Sequence, residues 1–564
     1  MSCNLSDLRR SLGTSLGVAS ILFCLLIVVP GCGGKPPLDE PTDLEHASDL
    51  DHGPWDILIT GAMVLDGTGS PAFPGHLAIR DGRIVRVSRE ALSARGEEKV
   101  IEAQGLFIAP GFIDLHAHLE PLLDYPSAES HLRQGVTLAV GGPDGSSPWP
   151  LGPYMAEAES MGLGINVAFL AGHNTLRRAV MGLDDRSPTA DELERMRALV
   201  AQGMAEGAFG ISTGLRYTPG AFSELGELVE LARVAAESGG IYTSHLRDEG
   251  MELMDGVREA LEIGRQASIP IVLTHHKVVG APMWGSSELS LALVDSARAA
   301  GTDVMLDQYP YTGTHTGISI LLPPWSLAGG DEAFLSRLDE PVLRDSIYSG
   351  LVWNLVNDRG GNDLSRVQFS RVEWDPSLEG QTLRDWAERQ GLEPTIEVGA
   401  DLVVEAMRRG GANAIFHALH EEDVERIMRH PFTAIASDGR LTRLGEGHPH
   451  PRAYGTFPRV LGHYVRERGV LRLEEAVRKM TSLPASRLGL TDRGRIESGA
   501  RADLVLFDPE RIIDRATFED PHQYPEGIEY VLVNGVVVLD RDGLTSERPG
   551  RVLRRPGSES PRSN

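Results

Sequence analysis

Cysteine is nearly absent from this chain. Of 564 residues only Cys3, Cys24 and Cys32 carry a thiol. If the chain is cleaved before Cys32, no intramolecular disulfide remains possible, and any bound metal must be held by nitrogen and oxygen ligands. Lysine is almost as scarce: the basic residues are mostly arginine, with lysine only at Lys35, Lys99, Lys277 and Lys479. Acidic residues outnumber basic ones by 80 to 54, a net charge of −26, which argues against a nucleic-acid partner. The apolar run Leu16–Val29 is 14 residues long, short for a membrane-spanning helix but the right length for an export signal. No fixed-period repeat is present.

What the N-terminus does contain reads as an address. Arg9 and Arg10 precede the apolar run, and Pro30-Gly31-Cys32-Gly33 follows it. A small residue before cysteine resembles a bacterial lipobox. The expectation is an exported protein of the cell envelope or periplasm, lipid-anchored at Cys32 and touching a membrane only through that anchor or signal. Residues 33–54, polar, acidic and Pro/Gly-containing, read as a linker. Residues 556–564, rich in Arg, Ser and Pro, read as a disordered tail.

Two textures divide the rest. Residues 55–107 and 487–555 show short strands around turns, such as Asp81-Gly82 before Ile84-Val85-Arg86-Val87. Each segment is too small to hold a core, which predicts one composite β-sandwich domain built from both chain ends. Between them, residues 108–486 alternate apolar strands with helical patterns such as Thr189–Glu206, Glu224–Ser238 and Gly250–Gln266. The strand candidates are Ile108–His118, Val136–Gly142, Ile165–Gly172, Ala208–Leu215, Ile241–Arg247, Ile269–Lys277, Val304–Thr312 and Thr433–Gly439. Eight such units predict an α/β fold, a (β/α)8 TIM barrel whose active site lies at the C-terminal ends of the strands. Asn413–Leu419 is a ninth strand candidate; with about residues 327–397 it is assigned to an insertion between strands seven and eight.

The strand ends carry the chemistry. Strand one closes on His116-Ala-His118, and residues two apart on a strand face the same way. Strands five, six and eight end in His245, His275 and Asp438. One histidine at a barrel rim is unremarkable. Four histidines and an aspartate at the same rim point to a divalent cation such as Zn2+, one ion or two. Leu273, His275 and Lys277 would share a strand face, which places Lys277 in the same mouth as His275. An ammonium beside cations needs an anion, and the α-carboxylate of a substrate is a natural one.

These motifs together resemble the N-acyl-D-amino-acid deacylases (D-aminoacylases) of the amidohydrolase superfamily. Pro110-Gly-Phe-Ile-Asp-Leu-His-Ala-His118 is similar to the first metal motif of the superfamily. The deacylase resemblance is carried by Gly172–Arg177, Gly210–Gly220, Tyr242–Arg247, Thr274–Lys277, Asp307–Thr312, Ser437–Gly439, His448–Phe457 and Asp520–Tyr524, in matching order from about residue 55 to 555. The resemblance implies a barrel with a β-sandwich, a zinc site, and hydrolysis of an N-acyl-D-amino acid to a carboxylate and a free D-amino acid. Carried over, His116 and His118 serve one metal position, His245 and His275 a second, and Asp438 is the catalytic carboxylate. Arg452 and Tyr309 would meet the substrate, with Lys277. One position departs from the pattern. Where the family usually offers a cysteine after the Gly-Val-Thr run of strand two, this chain has Asp144, a harder ligand able to bridge two ions. Asp114, on the same strand as His116, is read as a buttress.

Other readings stay open. A ring amidohydrolase of the hydantoinase or dihydroorotase kind often bridges its metals with a carboxylated lysine on strand four, but Ala208–Leu215 has none. A D-dipeptide or isoaspartyl-type peptidase also needs a carboxylate clamp. A metal- or solute-binding lipoprotein without catalysis is the alternative of another class.

Overall fold

The structure, a computed structural model, describes residues 54–558. The signal and lipobox segment, nearly all of the linker and residues 559–564 of the tail lie outside the described residues. Among the described residues no helix is long and apolar enough to cross a membrane.

The two chain ends meet in one nine-stranded sheet. The first end supplies Ile57–Val64, Phe73–Arg80, Arg83–Ser88, Lys99–Glu102 and Phe107–Pro110; the last supplies Leu504–Phe507, Ile528–Val533, Val536–Asp540 and Gly543–Leu544. They join where Phe107–Pro110 pairs antiparallel with Leu504–Phe507. Asp81-Gly82 and Asn534-Gly535 both sit at positive φ (52° and 73°, 49° and 82°), the backbone that a two-residue hairpin of the strands' own twist requires. Ile59, Val64 and Ile79 pack into one core with Leu504, Leu506 and Leu532. Each end thus supplies the apolar partner that the other lacks.

The middle of the chain is the barrel. Strand one is Phe112–Asp114 continued by Ala117–His118, and strand two is Val136–Gly141. Strand three is Asn166–Phe169 continued by Ala171–Gly172. Gly210–Gly214, Ile241–His245, Ile271–Leu273, Val304–Gln308 and Thr433–Ile435 follow as strands four to eight. All pair in parallel. The ring closes beyond strand eight, where Gly439–Arg440 pairs with Ala117–His118. Ile113, Leu138, Ala168, Phe209, Ile241, Val272, Met305 and Ala434, drawn from all round the ring, form one cluster, which marks the lumen. Ile271, Leu273, Val304 and Leu306 belong instead to the larger core shared with Val257, Ala260 and Ile263 of the helix Leu253–Ala267. Strands buried on both faces in this way read as continuous apolar runs.

The helices begin where the sequence signals them. Ala190–Glu206 opens on a reciprocal pairing of Thr189 and Glu192 side chains with each other's backbone N–H, and ends at Gly207 with φ 112°. Such a cap stabilises a helix by about 1 kcal/mol. Between strands seven and eight, Thr314–Gly317, Asn413–Phe416 and Val367–Arg371 form an antiparallel sheet of their own. The inserted unit is therefore wider than residues 327–397. Its first strand was hidden in the polar Thr-His-Thr-Gly run, which has no apolar alternation to announce it.

Candidate metal centre and active site

Six side chains converge at the C-terminal rim. His116, His118, Asp144 and Asp438 bring one ligand atom each within 4.8 Å of one another, and Asp144, His245 and His275 do the same. Asp144 belongs to both groups. Its Oδ2 lies 3.5 Å from His116 Nε2, 3.7 Å from His118 Nε2 and 3.7 Å from His245 Nδ1; its Oδ1 lies 3.2 Å from His275 Nε2. Asp438 Oδ1 closes the first group at 3.2 Å from His118 Nε2 and 3.5 Å from His116 Nε2. Both ring nitrogens of His116 and of His245 are buried with no hydrogen-bond partner among the described residues. Unspent imidazole lone pairs facing carboxylates fit a divalent cation, and a purely nitrogen and oxygen donor set fits zinc.

Backbone reversals aim these side chains. Asp144, His275 and Asp438 all have positive φ, 52°, 36° and 49°, a cost of order 1–3 kcal/mol each that surrounding structure must offset. At Asp144 that structure is strand four. Gly145 N–H donates to Ser212 Oγ, which donates to the Gly142 carbonyl. The Asp144 carbonyl passes so close to Gly214 that a Cβ there would meet it at 2.2 Å. The Gly-Ile-Ser-Thr-Gly motif is thus the seat of the Asp144 turn. Asp438 is held by its N–H on the His116 carbonyl at 2.8 Å. Asp114 stays out of the ligand cluster: its Oδ1 accepts the N–H groups of His116 and Ser437, tying together the two chain segments that carry His116 and Asp438.

Lys277 does enter the mouth, but strand alternation is not the reason. The strand stops at Leu273, whose side chain packs outside the barrel. Strict alternation would turn His275 outward as well; the reversal at His275 brings it in. Lys277 Nζ then lies 2.6 Å from His275 Nδ1 and 2.5 Å from Glu249 Oε1. One anion that this buried lysine meets is a protein carboxylate, Glu249, and it also lines the cavity at this rim. Glu249 also lies 3.1 Å from His275 Nδ1 and 3.5 Å from His245 Nε2, and takes Arg359 Nη2 at 3.0 Å. Burial works against ionising Glu249, yet His245 and Lys277 outweigh it and hold its carboxyl well below the usual range. Burial lowers Lys277 from its ordinary value, against the pull of Glu249.

Glu249 and Arg359 escaped sequence reasoning. Glu249 follows strand five in a loop, two residues past the recognisable Tyr242–Arg247 motif, and Arg359 comes from the inserted unit with no motif at all. Glu120 was missed too: its Oε1 lies 3.0 Å from His118 Nδ1, two residues on, while its Oε2 accepts from Arg440.

Asp438 is paired on its other oxygen, Oδ2, with Arg452 Nη1 at 2.8 Å. Burial alone would raise its pKa, but Arg452, His116 and His275 overcome this and hold it well below the carboxylate range. The Arg452 guanidinium stacks 4.6 Å over the Tyr309 ring. Tyr309 is buried, and its hydroxyl has no hydrogen-bond partner among the described residues. Asp438, Arg452, Tyr309 and His275 border a cavity of about 260 Å3, which also takes in Tyr217, Arg359 and the strand Thr314–Gly317.

The sequence pattern of the Amidohydrolase family matches residues 99–316 and 353–539. An N-acyl-D-glutamate deacylase of Alcaligenes xylosoxydans xylosoxydans is 38% identical over 529 residues, 89% of this chain and 97% of the relative. The crystal structure of N-acyl-D-glutamate deacylase from Bordetella bronchiseptica, complexed with zinc and a phosphonate mimic of the tetrahedral intermediate, superposes with a TM-score of 0.75 at 35% identity, covering 89% of this chain and all of that one. A D-aminoacylase structure described as having a binuclear metal center, with one-metal activation and second-metal attenuation, matches equally well, with a TM-score of 0.75 at 35% identity and the same coverage of both chains. A barrel rim of imidazoles and carboxylates, on a chain that matches the family over most of its length, makes this protein a member of the amidohydrolase family.

Proposed function

We propose that this protein is a metal-dependent amidohydrolase that cleaves N-acyl-D-amino acids to a carboxylate and a free D-amino acid. The observation that carries the reading is the pairing of a two-lobed imidazole–carboxylate cluster with an unshared acid–base group, Asp438, beside cationic side chains. The substrate class comes from the relatives, which share more than a third of their residues with this chain and are deacylases of N-acyl-D-amino acids.

The residues fit zinc in two lobes. His116 and His118 would hold one ion, His245 and His275 the other, with Asp144 common to both. Bound there, the metal supplies a Lewis acid for the scissile carbonyl and a water of lowered pKa. Asp438 accepts the proton of the attacking water and returns it to the departing amine. Arg452 fixes Oδ2 of Asp438, leaving Oδ1 on the side of His116 and His118. The unpaired Tyr309 hydroxyl, with Lys277 and Arg452, offers hydrogen bonds to the substrate α-carboxylate and so sets the register of the amide. Turnover of N-acetyl-D-amino acids, abolished by a chelator and restored by zinc, tests the reading; no turnover by metal-replete protein on any N-acyl-D-amino acid rejects it.

We also propose that the enzyme is exported and lipid-anchored at Cys32 in the cell envelope or periplasm. The support is Arg9-Arg10, the 14-residue apolar run and Cys32. Lipid labelling that disappears in Cys32→Ser, with release of the chain from the membrane fraction, is the expected result.

A further inference from the structure

The active-site cavity does not end at Asp438. A second cavity of about 430 Å3 adjoins it, and His315, Asn413, Arg440 and Arg452 are walls of both. We propose that this second cavity is the acyl subsite and that it takes a peptide-like acyl chain, so that the favoured substrates are short peptides ending in a D-amino acid. The inference rests on the amidohydrolase reading above and names the class of its acyl group.

Three observations carry it. The first is direction. An N-acyl amino acid is linear, with the scissile amide in the middle. Its α-carboxylate goes to the cationic end, at Lys277 and the unpaired Tyr309 hydroxyl. The acyl chain must then pass the other way, along His315 and Asn413, which is where the second cavity opens. Its size is far beyond what an acetyl group fills.

The second observation is polarity. A subsite for a long alkyl chain is lined by apolar side chains. Here Asp124, Arg371 and Glu373 stand on the wall with Ser370 and Asn413. Such a wall suits amides and a terminal charge, and it penalises a fatty chain.

The third is an open strand edge. In the inserted sheet Thr314–Gly317 is an edge strand, paired among the described residues only with Asn413–Phe416. All four of its residues line the active-site cavity. A strand with one side unpaired offers backbone donors and acceptors at the peptide repeat, the means by which extended peptides are recognised. An acetyl group has no backbone to use them.

The reaction is the hydrolysis already described. Water adds across the last amide, the C–N bond breaks, the hydroxyl goes to the acyl carbon and the amine leaves with the proton. The products are a shortened peptide and a free D-amino acid.

The test compares three substrates with the same terminal D-residue on the zinc-loaded full chain: N-acetyl, N-octanoyl and Ala-Ala-peptidyl. The tripeptide should exceed the acetyl compound in kcat/KM by about tenfold, the worth of one or two added backbone hydrogen bonds, and the octanoyl compound should fall below both. Thr442→Trp, which narrows the second cavity, should bring the tripeptide-to-acetyl ratio toward one. Because that variant can fail to fold, inhibition of N-acetyl turnover is measured as well in the unmodified chain. Ala-Ala should compete at lower concentration than acetate or octanoate. Equal rates for acetyl and peptidyl substrates, or a preference for octanoyl, overturns the acyl-subsite assignment while leaving the amidohydrolase reading intact. Absence of turnover on all three sinks that reading and this inference together.

Discussion

The two lobes of the rim cluster share Asp144 but are built differently. His116, His118 and Asp438 come from the seam where strands one and eight close the ring, and the group behind His118 is open to water. Glu120 is 37% exposed and its partner Arg440 55%. His245 ends strand five and His275 follows strand six, and the charges behind them, though they line the cavity, are largely shielded from water. Glu249, Lys277 and Arg359 are exposed by 3%, 6% and 4%. Opposite charges attract far more strongly when water is excluded, and an unpaired one there costs far more. The seam lobe therefore suits proton exchange, with its acid–base group at the cavity. The sealed lobe suits holding an ion in one fixed geometry. The inserted unit, through Arg359, is part of that seal.

The largest expected effect breaks the seam lobe alone. Asp438→Asn keeps the shape but removes the proton acceptor, and kcat should fall by about a thousandfold while elemental analysis finds the metal still bound; full turnover would refute the role. Next, Asp144→Ala removes what the lobes share. Metal per chain should drop, and unchanged content would leave Asp144 as a turn residue only. Glu249→Gln tests the seal: affinity of the His245/His275 lobe should weaken about 10- to 100-fold in a competitive chelator titration, with the other lobe spared. Smallest of all is Glu120→Gln, whose solvent-facing pair contributes about 1 kcal/mol or less, so its metal affinity should stay within about fivefold of the parent. Equal losses from the Glu249 and Glu120 variants would erase the distinction between the lobes.

Much of this rim could be read in the chain. His116, His118, His245 and Asp438 stand just where strands end, and a strand announces its end by losing its apolar run. Asp144 was legible only through the family resemblance, at the place after the Gly-Val-Thr run where a cysteine is usual. Lys277 was placed in the right mouth by a wrong rule, since period-two alternation holds only while the strand lasts. Glu249 had no such rule to follow, because a loop residue carries no periodicity. Arg359 lies more than a hundred residues from its partner, in a unit whose own first strand is polar.

From the chain alone came the order of βα units, the composite β domain and the nature of the donors, since no cysteine follows Cys32 and the barrel segment must offer imidazole and carboxylate. Those properties are local: each depends on pattern or residue type within a few positions. The pairing of donors into two lobes, the sharing of Asp144 and the sealing of one lobe by Glu249, Lys277 and Arg359 were decided only in three dimensions. They depend on backbone reversals at Asp144, His275 and Asp438, whose strain distant contacts, such as Gly214 beneath the Asp144 turn, hold in place.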